Sequence, residues 1–153
     1  MSSFKTNRPR NFLLALTAAV ALCLAAVGVA HAAGATVKTR HGKLGTFLVD
    51  GKGRTLYLFQ KDKTTKSRCT DDCAAAWPPL LTTGKPIASG SVKKALLGTT
   101  KRADGTTQVT YNHHPLYRFV DDKKAGDTKG QAVRAFGAKW YVVAPSGKKI
   151  GGY

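Results

Sequence analysis

Residues 51–62 read GKGRTLYLFQKD, and residues 111–122 read YNHHPLYRFVDD. Each stretch opens on a turn signal, runs through Leu-Tyr-x-Phe and places an Asp five residues after the Tyr. The first copy holds Tyr57, Phe59 and Asp62; the second holds Tyr117, Phe119 and Asp122. A Trp follows each copy, and the two Tyr stand 60 residues apart while Trp77 and Trp140 stand 63 apart. Spacing kept over two aromatic landmarks marks an internal repeat, with related halves at about 44–81 and 99–145 packed on one another. Residues two apart on a strand share a face, so a duplicated Tyr-x-Phe gives the two halves matching apolar surfaces to bury. Such aromatics also serve as stacking surfaces for haem, sugar or quinone, but duplication favours packing, because symmetric halves need matching core residues.

Working outward, Leu44–Val49 (LGTFLV) reads as a strand, Asp50-Gly51-Lys52-Gly53 as a turn, and Thr55–Phe59 as the returning strand of a hairpin. The carboxylate of Asp62 is placed to accept backbone N–H groups and shape the turn that follows. Thr70 reads as the N-cap of a helix over 71–76, with Asp71 and Asp72 at its positive end and Pro78-Pro79 stopping it after Trp77. A Gly/Pro/Ser/Thr loop covers 82–90, and Ser91–Leu97 reads as a second short helix. Thr99–Arg102 and Thr107–Tyr111 flank an Asp104-Gly105 turn. Pro115–Val120 and Lys139–Ala144 are the remaining strands, with a polar loop at 121–130. The fold class is mainly β: a compact single domain of two related halves, with short strands, hairpins and one or two short helices. The predicted core is Tyr57, Phe59, Trp77, Leu80, Tyr117, Phe119, Trp140 and Val142.

The first 32 residues read as a cleavable signal peptide. Lys5, Arg8 and Arg10 precede an uncharged run from Phe12 to Val29, and Ala30-His31-Ala32 supplies the small residues of a cleavage site after Ala32. Leu22 before Cys23 argues against a lipoprotein signal, so the expected product is secreted, extracellular or periplasmic, and not lipid-anchored. No later segment is apolar enough to span a membrane, so no transmembrane anchor is expected after cleavage. Residues 33–43 read as a flexible segment leading into a domain over 44–150. The mature chain, Ala33–Tyr153, carries 22 Lys plus Arg against eight Asp and no Glu, a net charge of +14. That charge points to anionic cell-envelope polymers as partners, while no recognised motif points to specific nucleic-acid binding.

With these residues in hand, the chain resembles the bacterial family described as a secreted repeat of unknown function, marked by Tyr-x-(Phe/Trp)-x-x-Asp. The resemblance runs over about 44–147 and rests on four segments in order: TLYLFQKD, CTDDCAAAWPPL, DGTTQVTYNHHPLYRF and AGDTKGQ…FGAKWYVVAP. It implies an exported protein and makes Tyr57, Phe59, Asp62, Trp77, Pro78, Pro79, Tyr117, Phe119, Asp122 and Trp140 motif residues of structural purpose. The family's biochemical role is not established. Two departures stand out. His113 occupies a position where members often have Gly, which strains a left-handed turn there unless Asn112 takes that role. Many members are lipid-anchored, whereas this chain lacks the lipobox.

Two constellations carry possible chemistry. Cys69 and Cys73, the only mature cysteines of an exported chain, read most simply as a disulfide at one helical turn's spacing. Alternatively, their thiolates with His113 and His114 form a copper site, or the protein handles haem. Soft thiolates and imidazole suit copper, but two adjacent His need a further ligand such as His41 or an Asp. No nucleophile elbow, His-Glu-x-x-His motif or carboxylate pair suggests hydrolysis, so no catalytic residue and no cofactor is assigned. The reading is a non-enzymatic exported envelope protein, with copper or haem handling as the alternative.

Overall fold

The stretches Phe47–Val49, Leu56–Phe59 and Trp140–Val143 are apolar at every position, a pattern that requires both faces to be covered. The computed structural model describes residues 1–2 and 33–151. The chain divides into two units, Met1–Ala30 and His31–Tyr153, and the elements below belong to the second. The predicted signal peptide and Cys23 lie outside the described residues.

Strand β1 (Thr36–Gly42) pairs antiparallel with β2 (Gly45–Asp50), and β3 (Tyr57–Phe59) follows. Helix α1 (Asp71–Ala76) is followed by β4 (Ile87–Ala88), which adds to β1 in parallel. One 3₁₀ turn (Lys94–Leu96) leads into β5 (Leu97–Lys101), β6 (Thr107–Tyr111) and β7 (His114–Pro115), an antiparallel sheet in that order. Strands β8 (Arg134–Ala135) and β9 (Ala138–Val142) form a hairpin, and β9 also pairs with β3. Among the described residues the fold is therefore mainly β: three small sheets and one α-helix.

Single bridges link the sheets and the segments between them: Val49 to Thr55, Tyr57 to Tyr117, Pro79 to Tyr117 and Leu81 to Gln108. Side-chain alternation then sorts the apolar runs onto two faces. Leu48, Leu56, Leu58, Leu116, Tyr141 and Val143 join one core. Their chain neighbours Phe47, Val49, Tyr57, Phe59, Tyr117, Trp140 and Val142 join the other, together with Trp77 and both cysteines. The predicted core residues are buried except Phe119, which is half-buried against the second core.

Several local readings change. The segment 33–43 is not a flexible leader, because Thr36–Gly42 is a six-pair strand with Val37 fully buried. Thr55–Phe59 leaves β2 after the Val49–Thr55 bridge and runs beside β9, with Tyr57 opposite Val142 and Phe59 opposite Trp140. The loop at 82–90 contains β4, and the second helix shrinks to the 3₁₀ turn. Beyond Pro115, the expected strand at 115–120 survives only as the bridges made by Tyr117. Helix α1 spans the expected residues, but the Thr70 hydroxyl makes no cap bond. Asp71, at φ 50°, turns left-handed at the helix entry, where a capping side chain needs regular geometry. The helix is held instead by the Cys69–Cys73 disulfide behind it.

Candidate functional site

The repeated motif builds a hub related by an approximate twofold about one residue pair. Tyr57 and Tyr117 bridge antiparallel, each backbone N–H donating to the other's carbonyl at 2.9 and 3.0 Å. From there the motifs cross. The Tyr57 hydroxyl donates to Asp122 Oδ2 at 2.6 Å, and the Tyr117 hydroxyl donates to Asp62 Oδ2 at 2.6 Å. The tyrosine of each half is thus closed by the aspartate of the other. The second oxygen of each carboxylate accepts a backbone N–H from the loop beyond it, Arg68 for Asp62 and Lys129 for Asp122. That turn-shaping role was foreseen for Asp62; the exchange of tyrosines between halves was not. The signal available in the sequence was a buried phenol, which requires a partner, in a motif whose one repeated polar group is an acid.

The aromatics repeat the symmetry. Trp77 and Trp140 stack at 4.0 Å and 4°. Phe59 of the first half lies flat on Trp140 of the second at 4.0 Å, and Phe119 of the second lies on Trp77 of the first at 4.1 Å. Tyr57 meets Trp77 edge-on at 5.4 Å, as Tyr117 meets Trp140 at 5.1 Å. Gly130 sits so close that a Cβ would stand 2.7 Å from Trp77 and 2.9 Å from Tyr57, so only glycine fits beside these rings. Pro79 bridges to Tyr117, and the Pro78 carbonyl accepts the Arg118 N–H, which ties the end of α1 to the second motif.

Burial governs the electrostatics of the hub. Asp62 and Asp122 are 3% and 6% exposed, and desolvation raises both carboxyl pKa values above the ordinary range. Burial, reinforced by the facing carboxylate, pushes both phenols far above the usual tyrosine range. Arg102, buried on the first-half side, donates to Gln108 and Ser67 through Nη1 and to the Cys69 carbonyl through Nη2. Ser67 Oγ lies 2.8 Å from the Tyr117 hydroxyl, so this network joins the disulfide loop to the hub.

Cys69 and Cys73 are joined as a disulfide and buried, so in this form neither offers a thiolate. Asn112 and His113 both adopt positive φ, 47° and 66°, as the two loop residues of the β6–β7 hairpin. The strain expected at His113 is therefore present, and Asn112 shares the turn rather than relieving it. His113 is exposed. Half-buried His114 has its Nδ1 enclosed without a partner, and burial holds its pKa below the usual histidine range. His41 stands on β1 beside Thr46. Among the described residues no group of three His, Cys, Asp or Glu converges, and the set Cys69, Cys73, His113 and His114 does not assemble as a metal site.

A cleft of about 650 Å³ opens beside the hub. Leu58, Gln60 and Asp62 come from β3 and its exit, Asn112 and His114 from the β6–β7 hairpin, and Lys63, Lys148 and Lys149 supply its cations. Asp62, the acid of this lining, is engaged by the Tyr117 hydroxyl and the Arg68 N–H. Lys149 Nζ lies 4.5 Å from the centre of the Tyr141 ring, while Lys63 and Lys148 are exposed. The adjacent pair Lys148-Lys149 is visible in the sequence, but its meeting with Lys63 is not, because the two segments lie far apart in the chain.

Comparison with known proteins finds one family model, described as a secreted repeat of unknown function, matching residues 38–81 and 98–144. The two matched stretches contain the two copies of Tyr-x-Phe-x-x-Asp and the two Trp of the stack. No curated protein and no solved structure matches the chain. Among the described residues, no helix is long and apolar enough to cross a membrane.

Proposed function

The chain belongs to the family of secreted repeats of unknown function, and from that premise we propose that it is a non-enzymatic envelope module that binds an anionic polymer along the lysine-lined cleft. The chain is exported by cleavage of residues 1–32 and is retained by charge rather than by a lipid anchor. The observation that supports this reading is the placement of Lys63, Lys148 and Lys149 around one cleft whose acid is already engaged. Three cations around a cleft whose one carboxylate is occupied by hydrogen bonds attract an extended chain of phosphates or carboxylates. Gln60 and Asn112 add hydrogen-bonding groups that suit the sugar or glycerol units between such charges.

The test is a titration of the secreted protein with a glycerol-phosphate polymer over a range of salt concentrations. Binding weakens as salt rises, with a log–log slope that counts the charges contacted. The double variant Lys63→Gln/Lys148→Gln is expected to flatten that slope by about 1.4, near 0.7 for each lost contact with a flexible polyanion. An unchanged slope in the variant assigns binding to the diffuse surface charge and removes the cleft from the account.

A further inference from the structure

The β8–β9 hairpin breaks two local rules at its tip. Ala135 pairs with Ala138, so Phe136 and Gly137 form the two-residue loop, and both have positive φ, 54° and 90°. A turn of this kind takes Asn, Asp or Gly at its first position; a bulky aromatic there is strained. Phe136 gains no core place in return, being 40% exposed and outside both hydrophobic clusters. Directly behind the tip, Arg134 faces Lys139 across the ladder, both exposed, an arrangement in which like charges repel. Lys61 completes the group, donating to the Phe136 carbonyl at 3.3 Å. None of these three cations is in an ion pair with a described residue. Choices that cost the fold locally and return nothing to it mark positions kept for another purpose.

We propose that this tip is a docking point for an anionic phospholipid surface: Phe136 inserts among the head groups while Lys61, Arg134 and Lys139 engage the phosphates around it. An aromatic ring belongs at the boundary between head groups and acyl chains, and basic residues near it are drawn to anionic lipid. A soluble polyanion would use the three cations but leaves an exposed ring without a partner, and this favours the bilayer. The site shares no residue with the lysine cleft and differs from it in the exposed ring.

The experiment is co-sedimentation of the secreted protein with phosphatidylcholine vesicles, with and without phosphatidylglycerol, alongside thermal melts. The wild type should bind only the vesicles that contain phosphatidylglycerol. Phe136→Asn suits the turn better, so it should melt no lower than the wild type yet lose roughly tenfold in vesicle binding, the worth of one buried aromatic. Its binding to a soluble glycerol-phosphate polymer should not change. Arg134→Gln/Lys139→Gln relieves the repulsion, so it too should melt no lower, while vesicle binding falls by about fivefold per charge removed. The proposal is overturned by any of three results: no vesicle binding by the wild type, vesicle binding by Phe136→Asn equal to the wild type, or a lower melting temperature for Phe136→Asn, which would make the ring structural. Equal losses toward vesicles and soluble polymer would also overturn it, by reducing the tip to an electrostatic contact.

Discussion

Tyr57 and Tyr117 each carry a phenol into an apolar interior, and each meets a carboxylate 2.6 Å away. A hydrogen bond to a charged group contributes about 1.5–3 kcal/mol, and leaving the acceptor unmet in the core costs a similar amount. The arrangement also fixes the pH response. Burial raises both phenol pKa values above the ordinary value of 10.0, so the folded chain holds these protons longer than the unfolded chain does. Their contribution is complete below pH 10 and is lost as pH rises above it, because the unfolded chain ionises first. Asp62 and Asp122 are also raised, above 3.8, so their contribution is complete in acid and declines as pH rises through their folded values. We expect an alkaline titration followed by phenolate absorbance, compared between the wild type and Tyr57→Phe/Tyr117→Phe, to show the signal of Tyr57 and Tyr117 appearing only as the fold melts. Two early phenolates at Tyr57 and Tyr117 in a folded protein would refute the buried pairs. On the acid side, lowering the pH from neutral should not weaken the fold through Asp62 or Asp122.

At the scale of elements, what the sequence revealed was burial, and what it hid was pairing. The alternation in LYLF and WYVV marks two covered faces, and the structure divides those residues between two cores. Nothing in that alternation says that β3 leaves β2 for β9, because a strand covered on both sides carries no mark of its neighbour. β1 (TVKTRHG) was missed for the opposite reason: only Val37 is buried, and the outward Lys38, Arg40 and His41 give it the look of a polar leader. Helix α1 was legible from its alanines and the following prolines, yet its anchorage comes from covalent and long-range contacts rather than from the Thr70 cap. The disulfide closes a loop between residues four apart, so its loss is expected to cost about 2 kcal/mol by the loop-closure relation. Denaturant melts of the wild type and of Cys69→Ala/Cys73→Ala check this. A double variant as stable as the wild type would assign the helix to the Arg102 network alone. Because both cysteines are buried, a reductant should act on the folded protein slowly.

Across the whole molecule, the two halves are not merely adjacent. Phe59 lies on the tryptophan of the second half and Phe119 on that of the first, while the tyrosine–aspartate bonds run the same way. The sequence displayed the repeat and the motif residues because duplication leaves matching spacings. It did not display the exchange, since spacing says which residues correspond and not which touch. The lysine cleft was illegible for a related reason: it gathers Lys63 with a tail more than eighty residues later. The exchange explains why Tyr, Phe and Asp recur together. Each motif supplies half of two closed pairs, so neither half satisfies its own buried polar groups alone.

The measurement that tests this most directly is a set of double-mutant cycles on unfolding free energy, using Tyr57→Phe and Tyr117→Phe with Asp62→Asn and Asp122→Asn. Contacting pairs show coupling of about 0.5–3 kcal/mol, whereas independent sites add to within about 0.5 kcal/mol. The account predicts coupling for Tyr57 with Asp122 and for Tyr117 with Asp62, and near-additivity for Tyr57 with Asp62 and Tyr117 with Asp122. Coupling within each motif and additivity between the halves would contradict it.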